Sequence, residues 1–181
     1  MGAGASNNSD KLHAAVKNGD LQEAGRLIKS KGVNINAREK GTGNTVLHFA
    51  AAKGQAEMVS LLMRETKIEP NVENEHNTTP LILASGNGHA EVVQMLVNDP
   101  LVDPNFLSST GVSALHLATQ KGREGAVKAL LACPRLLPNL KNGGDSSPHA
   151  RVTLDPAASG DSRPAHRVLR PAHQMTLTPR I

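Results

Sequence analysis

The chain predicts an all-α fold, a solenoid of helix-turn-helix units stacked side by side and joined by β-turn or hairpin loops. Three observations carry that prediction. Leu12-His13-Ala14 returns as Leu47-His48-Phe49-Ala50, Leu81-Ile82-Leu83-Ala84 and Leu115-His116-Leu117-Ala118, with the leucines 35, 34 and 34 residues apart. A glycine follows each of those leucines by seven residues, at Gly19, Gly54, Gly88 and Gly122. The 181 residues contain two phenylalanines and neither tyrosine nor tryptophan. A fixed period of this length marks small units that bury their apolar faces only by stacking. A single compact core would draw on aromatics to fill its centre. A thin stack of Ala, Leu, Val and Ile does not need them.

The elements follow in order within each unit. Asp10, Thr45, Thr79 and Ser113 stand two residues before the leucines. Their side-chain oxygens can accept the free N–H groups of a helix start. Pro80 follows its cap at the first helical position, where its missing N–H costs nothing. A short first helix, rich in Ala and Leu, then ends at the glycine, which supplies a left-handed turn. A second helix follows with apolar pairs three to four residues apart on one face. Met58-Val59 precede Leu62-Met63, Val92-Val93 precede Leu96-Val97, and Ala126-Val127 precede Leu130-Leu131. The links Ile68-Glu69-Pro70-Asn71, Val102-Asp103-Pro104-Asn105 and Leu137-Pro138-Asn139 then read as extended loops, because proline stops helices and asparagine tolerates turns. The asparagines Asn36, Asn71, Asn105 and Asn139 keep the same spacing.

Two helices and a β-turn in about 33 residues, around a Thr-Pro-Leu-His-x-Ala core, resemble the ankyrin repeat. The matching segments are Thr45-Val46-Leu47-His48-Phe49-Ala50, Thr79-Pro80-Leu81-Ile82-Leu83-Ala84 and Ser113-Ala114-Leu115-His116-Leu117-Ala118. Ile82 departs from the histidine, and Val46 and Ala114 from the proline. Four repeats are expected at about 10–40, 41–75, 76–109 and 110–142, the first a divergent capping unit. A flexible leader is expected over 1–9, and an aborted fifth repeat with a disordered tail over 143–181. The resemblance implies a non-enzymatic module that binds a partner protein through its concave face and turn tips. Carried over by position, the tips are Arg38-Glu39-Lys40, Glu73-Asn74-Glu75 and Phe106-Leu107-Ser108. The first-helix positions before the glycines are Lys17-Asn18, Ala52-Lys53, Gly86-Asn87 and Gln120-Lys121. Lys17, Lys53 and Lys121 either favour an acidic partner or keep that face soluble. Phe106 is expected to pack inward, since Val72 and Leu140 hold its equivalent positions. Leu107 is the stronger interface candidate, because its counterparts Arg38, Glu73 and Lys141 are charged.

Charge and cysteine count bound the rest. Residues 1–149 carry 15 basic and 14 acidic side chains. Residues 150–181 carry five arginines against Asp155 and Asp161. Most of the net charge of +4 is thus a property of the tail, and nucleic acid is not an expected partner. Cys133 is the single cysteine, which excludes an intrachain disulfide and suits a reducing setting, cytoplasmic or alternatively nuclear. No run approaches the ~20 apolar residues that span a bilayer. A monomer is expected.

The two ends pose separate questions. Met1-Gly2-Ala3-Gly4-Ala5-Ser6 fits the N-myristoylation pattern on Gly2, which would give a membrane-tethered adaptor with marginal, reversible attachment. An unmodified small-residue leader is the alternative. At the other end Ser147 lies 34 residues beyond Ser113 and opens a fifth unit, yet His149 stands where the leucine should fall. From there Pro156, Pro164, Pro171 and Pro179 recur among arginines. Either a natural tail replaces the fifth repeat, or the chain is a truncated or aberrantly spliced form of a longer repeat protein. Either way Leu130, Leu131, Leu136 and Leu137 are expected to be poorly covered.

The residues do not assemble a catalytic constellation, and neither cofactor nor metal is expected. Histidines one repeat apart, about 10 Å by the spacing of packed helices, are too distant to share an ion. The resemblance instead implies that the repeat histidines fix the turn and the neighbouring unit by hydrogen bonds. Cys133 reads as a buried structural thiol, with Arg135 the only nearby positive charge to argue for reactivity. Gly86-Asn87-Gly88 lies between helices and is no phosphate loop.

Overall fold

The computed structural model describes residues 3–139, with side chains from Asn8 onward. Eight helices form among these residues and no strand does. They pair as four hairpins: α1 (Ala3–Asn18) with α2 (Leu21–Ile28), α3 (Val46–Ala52) with α4 (Ala56–Met63), α5 (Pro80–Asn87) with α6 (Ala90–Asn98), and α7 (Ala114–Gln120) with α8 (Glu124–Leu131). The first helices α1, α3, α5 and α7 pack in one row, and α2, α4, α6 and α8 in a second. Each hairpin touches mainly the next one along the chain, as a solenoid requires.

The local signals explain the elements. Thr79 Oγ1 accepts the Ile82 N–H at 3.3 Å, and Ser113 Oγ accepts the His116 N–H at 3.2 Å. Asp20 caps α2 by accepting the Glu23 N–H at 2.9 Å. The four expected glycines all adopt positive φ: 74° at Gly19, 68° at Gly54, 83° at Gly88 and 64° at Gly122. That region is nearly free for glycine and costly for other residues.

One helix start differs from the sequence reading. Asp10 lies inside α1, which already begins at Ala3, so residues 3–9 of the expected leader are helical. No proline interrupts 3–10, and the segment is anchored from below. Ser9 is buried, its Oγ accepts the Asn34 N–H at 3.2 Å, and its carbonyl accepts a bond from His13. Gly2, the start of the fifth unit and the tail fall outside the described residues.

The core is a continuous apolar seam from Leu12 to Leu136. Leu12, Leu47, Leu81 and Leu115 all lie within it, as do Met58, Val59, Leu62, Val92, Val93, Leu96, Val97, Ala126, Val127 and Leu130. The last unit departs in part from the expectation of poor cover. Leu130 and Leu136 are buried, whereas Leu131 and Leu137 are exposed. Register accounts for three of them, since Leu130 matches the buried Leu62 and Leu96, Leu136 matches Ile68 and Val102, and Leu137 matches the exposed Glu69 and Asp103; Leu131 matches the buried Val97, so its exposure is the poor cover expected of the last unit.

Two buried side-chain oxygens have no hydrogen-bond partner among the described residues, Gln55 Oε1 and, in α5, Ser85 Oγ. Ser85 is fully buried. The equivalent residue one unit earlier is Ala51, also fully buried. An unpaired hydroxyl in an apolar seam is destabilising, and serine is a weaker helix former than alanine. Ser85→Ala should therefore stabilise the chain by about 1 kcal/mol, read as a higher urea midpoint. A lower midpoint would mean that the hydroxyl is bonded.

Candidate functional site

Three sets of polar contacts bind the hairpins to each other and shape the face they present. The first runs along the C-terminal ends of the first helices. The Lys17 carbonyl accepts Lys53 Nζ–H at 2.6 Å. The Ala52 carbonyl accepts both Asn87 Nδ2–H and His89 Nε2–H, each at 2.9 Å. The Gly86 carbonyl accepts Arg123 Nε–H at 3.2 Å. Positions 17, 52 and 86 are equivalent, so each unit caps the negative helix end of the unit before it.

The second set is a row of asparagine amides. Asn36 donates to the Lys67 carbonyl at 2.6 Å and accepts the Glu69 N–H at 3.0 Å. Asn71 does the same with the Leu101 carbonyl and the Asp103 N–H, at 2.7 and 2.9 Å. Asn105 repeats it with the Arg135 carbonyl and the Leu137 N–H, at 2.7 and 2.6 Å. The recurrence of these asparagines was visible in the sequence, but their role was not. An amide carries a donor and an acceptor on one carbon, and that pairing reads the N–H and C=O of the next loop. Arg135 serves the same end. Its guanidinium donates to the carbonyls of Val97, Val102 and Asp99 at 2.7, 3.0 and 2.8 Å. The Cys133 thiol is buried and lies 3.6 Å from that same Val97 carbonyl.

The third set belongs to the repeat histidines. His48 Nδ1 accepts the Thr45 N–H at 3.1 Å, while Nε2 faces the Thr78 carbonyl at 3.0 Å. A backbone N–H only donates and a carbonyl only accepts, so the ring is the neutral Nε2–H tautomer. Burial holds its pKa down to about 4. His13 Nδ1 lies 3.0 Å from the Ser9 carbonyl, to which it donates, and its Nε2 lies 3.3 Å from the Asn44 carbonyl. His116 lies 2.7 Å from Ser113 Oγ, its own cap. In the third unit Ile82 fills the position as a buried apolar residue.

The residues singled out in sequence fall into two groups. Lys17 is half-buried, ion-paired with Glu39, and sits 4.4 Å above the centroid of the Phe49 ring. Its ammonium, hydrogen-bonded to Glu39, holds that carboxyl below the usual range, and the Thr42 hydroxyl adds to the effect. Lys53 is engaged at the end of α1 as described. Arg38, Glu75, Gln120 and Lys121 are exposed, and Glu73 is half-exposed. Phe106 packs against the core, whereas Leu107 is 39% exposed.

The tips form one connected edge. Glu75 N–H donates to the Thr42 carbonyl at 3.0 Å, and Asn74 Nδ2–H to Asn44 Oδ1 at 2.6 Å. Ser109 N–H donates to Glu73 Oε1 at 3.0 Å. A groove of about 620 Å³ opens between α1 and the first tip, with His13, Lys17, Arg38, Glu39 and Lys40 on its walls.

With this geometry, comparison with known proteins is decisive on family. The family model for ankyrin repeats (3 copies) matches residues 12–106 and 68–142, well over half of the chain. The chain belongs to the ankyrin-repeat family. Ankyrin repeats are protein–protein interaction modules, and this ankyrin stack is similar to parts of several known proteins. It is 38% identical over 79 residues to a probable E3 ubiquitin-protein ligase of Oryza sativa subsp. japonica, covering 44% of this chain and 16% of that protein. It is 39% identical over 72 residues to the 26S proteasome non-ATPase regulatory subunit 10 of Dictyostelium discoideum, covering 40% of this chain and 31% of that one. It is 36% identical over 53 residues to an I-Kappa-B like protein of Microplitis demolitor bracovirus, covering 29% and 32%. The matched segments thus span less than a third of the length of each of these relatives. Among the described residues no helix is long and apolar enough to cross a membrane.

Proposed function

We propose that this ankyrin stack is a non-enzymatic docking module that holds a partner protein on its concave row of first helices and its turn tips. One observation carries the reading. Leu107 projects from the third tip at 39% exposure while Phe106 beside it turns into the core. An exposed leucine at a loop tip gains nothing for the free chain and becomes favourable when a partner covers it. The frame behind it supports the same reading. The carbonyl caps and asparagine amides hold each tip to the next unit, so little ordering remains to be done on binding. The relatives bear different names, and the shared part is the scaffold, so the similarity supports interaction without selecting a pathway.

The test is quantitative affinity capture with the native chain and with Leu107→Arg. The variant should keep its helical circular dichroism, because the side chain lies outside the core. It should lose a partner that the native chain retains, by about tenfold or more in bound amount, as expected when an interface anchor is replaced by a charge. Equal capture by both chains would remove the third tip from the interface.

A further inference from the structure

The three tips differ in chemistry in a fixed order along one edge. At the first, Lys17 neutralises Glu39, which leaves Arg38 and Lys40, both exposed, as the charges presented. At the second, Glu73 and Glu75 are the only charges, and Glu75 is exposed. At the third there is no charge, and Leu107 is the exposed side chain. The backbone and side-chain bonds from Glu75 to Thr42, Asn74 to Asn44 and Ser109 to Glu73 lock these tips into one row. The edge therefore reads basic, acidic, apolar from the first tip to the third.

We propose that this edge selects an extended polypeptide segment of its partner whose side chains run acidic, basic and apolar in step with the stack. The inference rests on the docking surface proposed above and adds the chemistry and order of what it takes. The spacing supports an extended segment. Packed helices lie about 8–10 Å apart, and an extended chain advances about 3.3 Å per residue. Neighbouring tips then face side chains about three residues apart, and a polyproline II segment, with three residues per turn, sets such side chains on one side, whereas a strand turns them to opposite faces. Opposite charges at the first two tips attract the matched order and repel its inverse, which gives discrimination even where each exposed pair is weak.

Four synthetic peptides test this. The matched peptide is acetyl-Asp-Glu-Gly-Lys-Arg-Gly-Leu-Leu-amide, and its isomer exchanges the first two blocks, Lys-Arg-Gly-Asp-Glu-Gly-Leu-Leu. Each is also made in the reverse chain direction. Binding is followed by amide chemical shifts of the native chain at low and high salt. The matched order should bind about fivefold more tightly than its isomer in one chain direction at low salt, and the gap should shrink at high salt. Arg38→Glu/Lys40→Glu/Glu75→Lys changes exposed side chains that hold no hydrogen bond among the described residues, and it should invert the preference. Equal affinity for both orders, an unchanged preference in the triple variant, or no shift of the tip amides would each overturn the proposal. The Leu107→Arg capture result separates the two levels. A partner lost with that variant while the peptides show no preference keeps the docking surface and removes the charge order.

Discussion

Gly54→Val should destabilise the chain by about 3 kcal/mol or more, the largest effect expected of a single substitution at the turn glycines. Two costs combine at this position. Gly54 has φ 68°, a conformation that a β-branched residue resists. A Cβ built there would also lie 2.5 Å from His89 Nδ1 and 2.8 Å from two ring carbons. That ring cannot simply move away, because its Nε2 caps the Ala52 carbonyl. Gly122 separates the two costs. It has φ 64° at the equivalent turn, but nothing lies within 4 Å of its Cβ position. Gly122→Ala should therefore cost about 1 kcal/mol, the backbone term alone, and Gly54→Ala clearly more. Equal urea midpoints for these two alanine variants would mean that the His89 contact contributes nothing.

Acidification should weaken the stack through His48 by up to about 3 kcal/mol. The ring is fully buried and neutral, with its pKa lowered from 6.5 to about 4 by burial. Between those values the unfolded chain takes up a proton that the folded chain refuses. The contribution is complete above pH 6.5, falls as the pH drops towards 4, and levels off below. His48→Ile copies the third unit, where Ile82 is buried at the same position. Carboxylates titrate in both chains, so the difference between their stability curves isolates the histidine. The native chain should lose more stability than the variant between pH 6.5 and 4. Parallel curves would show that His48 titrates alike in the folded and unfolded states.

Much of this architecture was legible because a stack writes the same requirement into every unit. The glycine at each first-helix end must take positive φ, and the leucine of each unit must enter the seam, so period and residue type sufficed to place both. Phe106 and Leu107 were separable by comparison with their counterparts, because a position that is apolar in one unit and charged in the others faces water. The start of α1 was not legible. Asp10 is an acceptable cap by local rules, yet Ser9 is held from beneath by Asn34, a contact 25 residues distant that no local signal reports. Arg135 was equally opaque, since its role depends on three carbonyls at the end of the preceding hairpin.

Sequence alone thus determined the all-α class, the length of the unit, the four left-handed turns and the set of leucines that make the seam. These follow from residue chemistry and spacing within one unit, which the covalent chain itself imposes. Only the tertiary structure decided what each polar side chain does between units. Asn71 could equally have been a loose loop residue, and Lys17 a free charge on the concave face. The first became a clasp on the next loop and the second a partner for Glu39, because stacking sets a backbone amide or a carboxylate within reach of each. Distances between units are products of packing, and a linear pattern does not encode which donor will meet which acceptor.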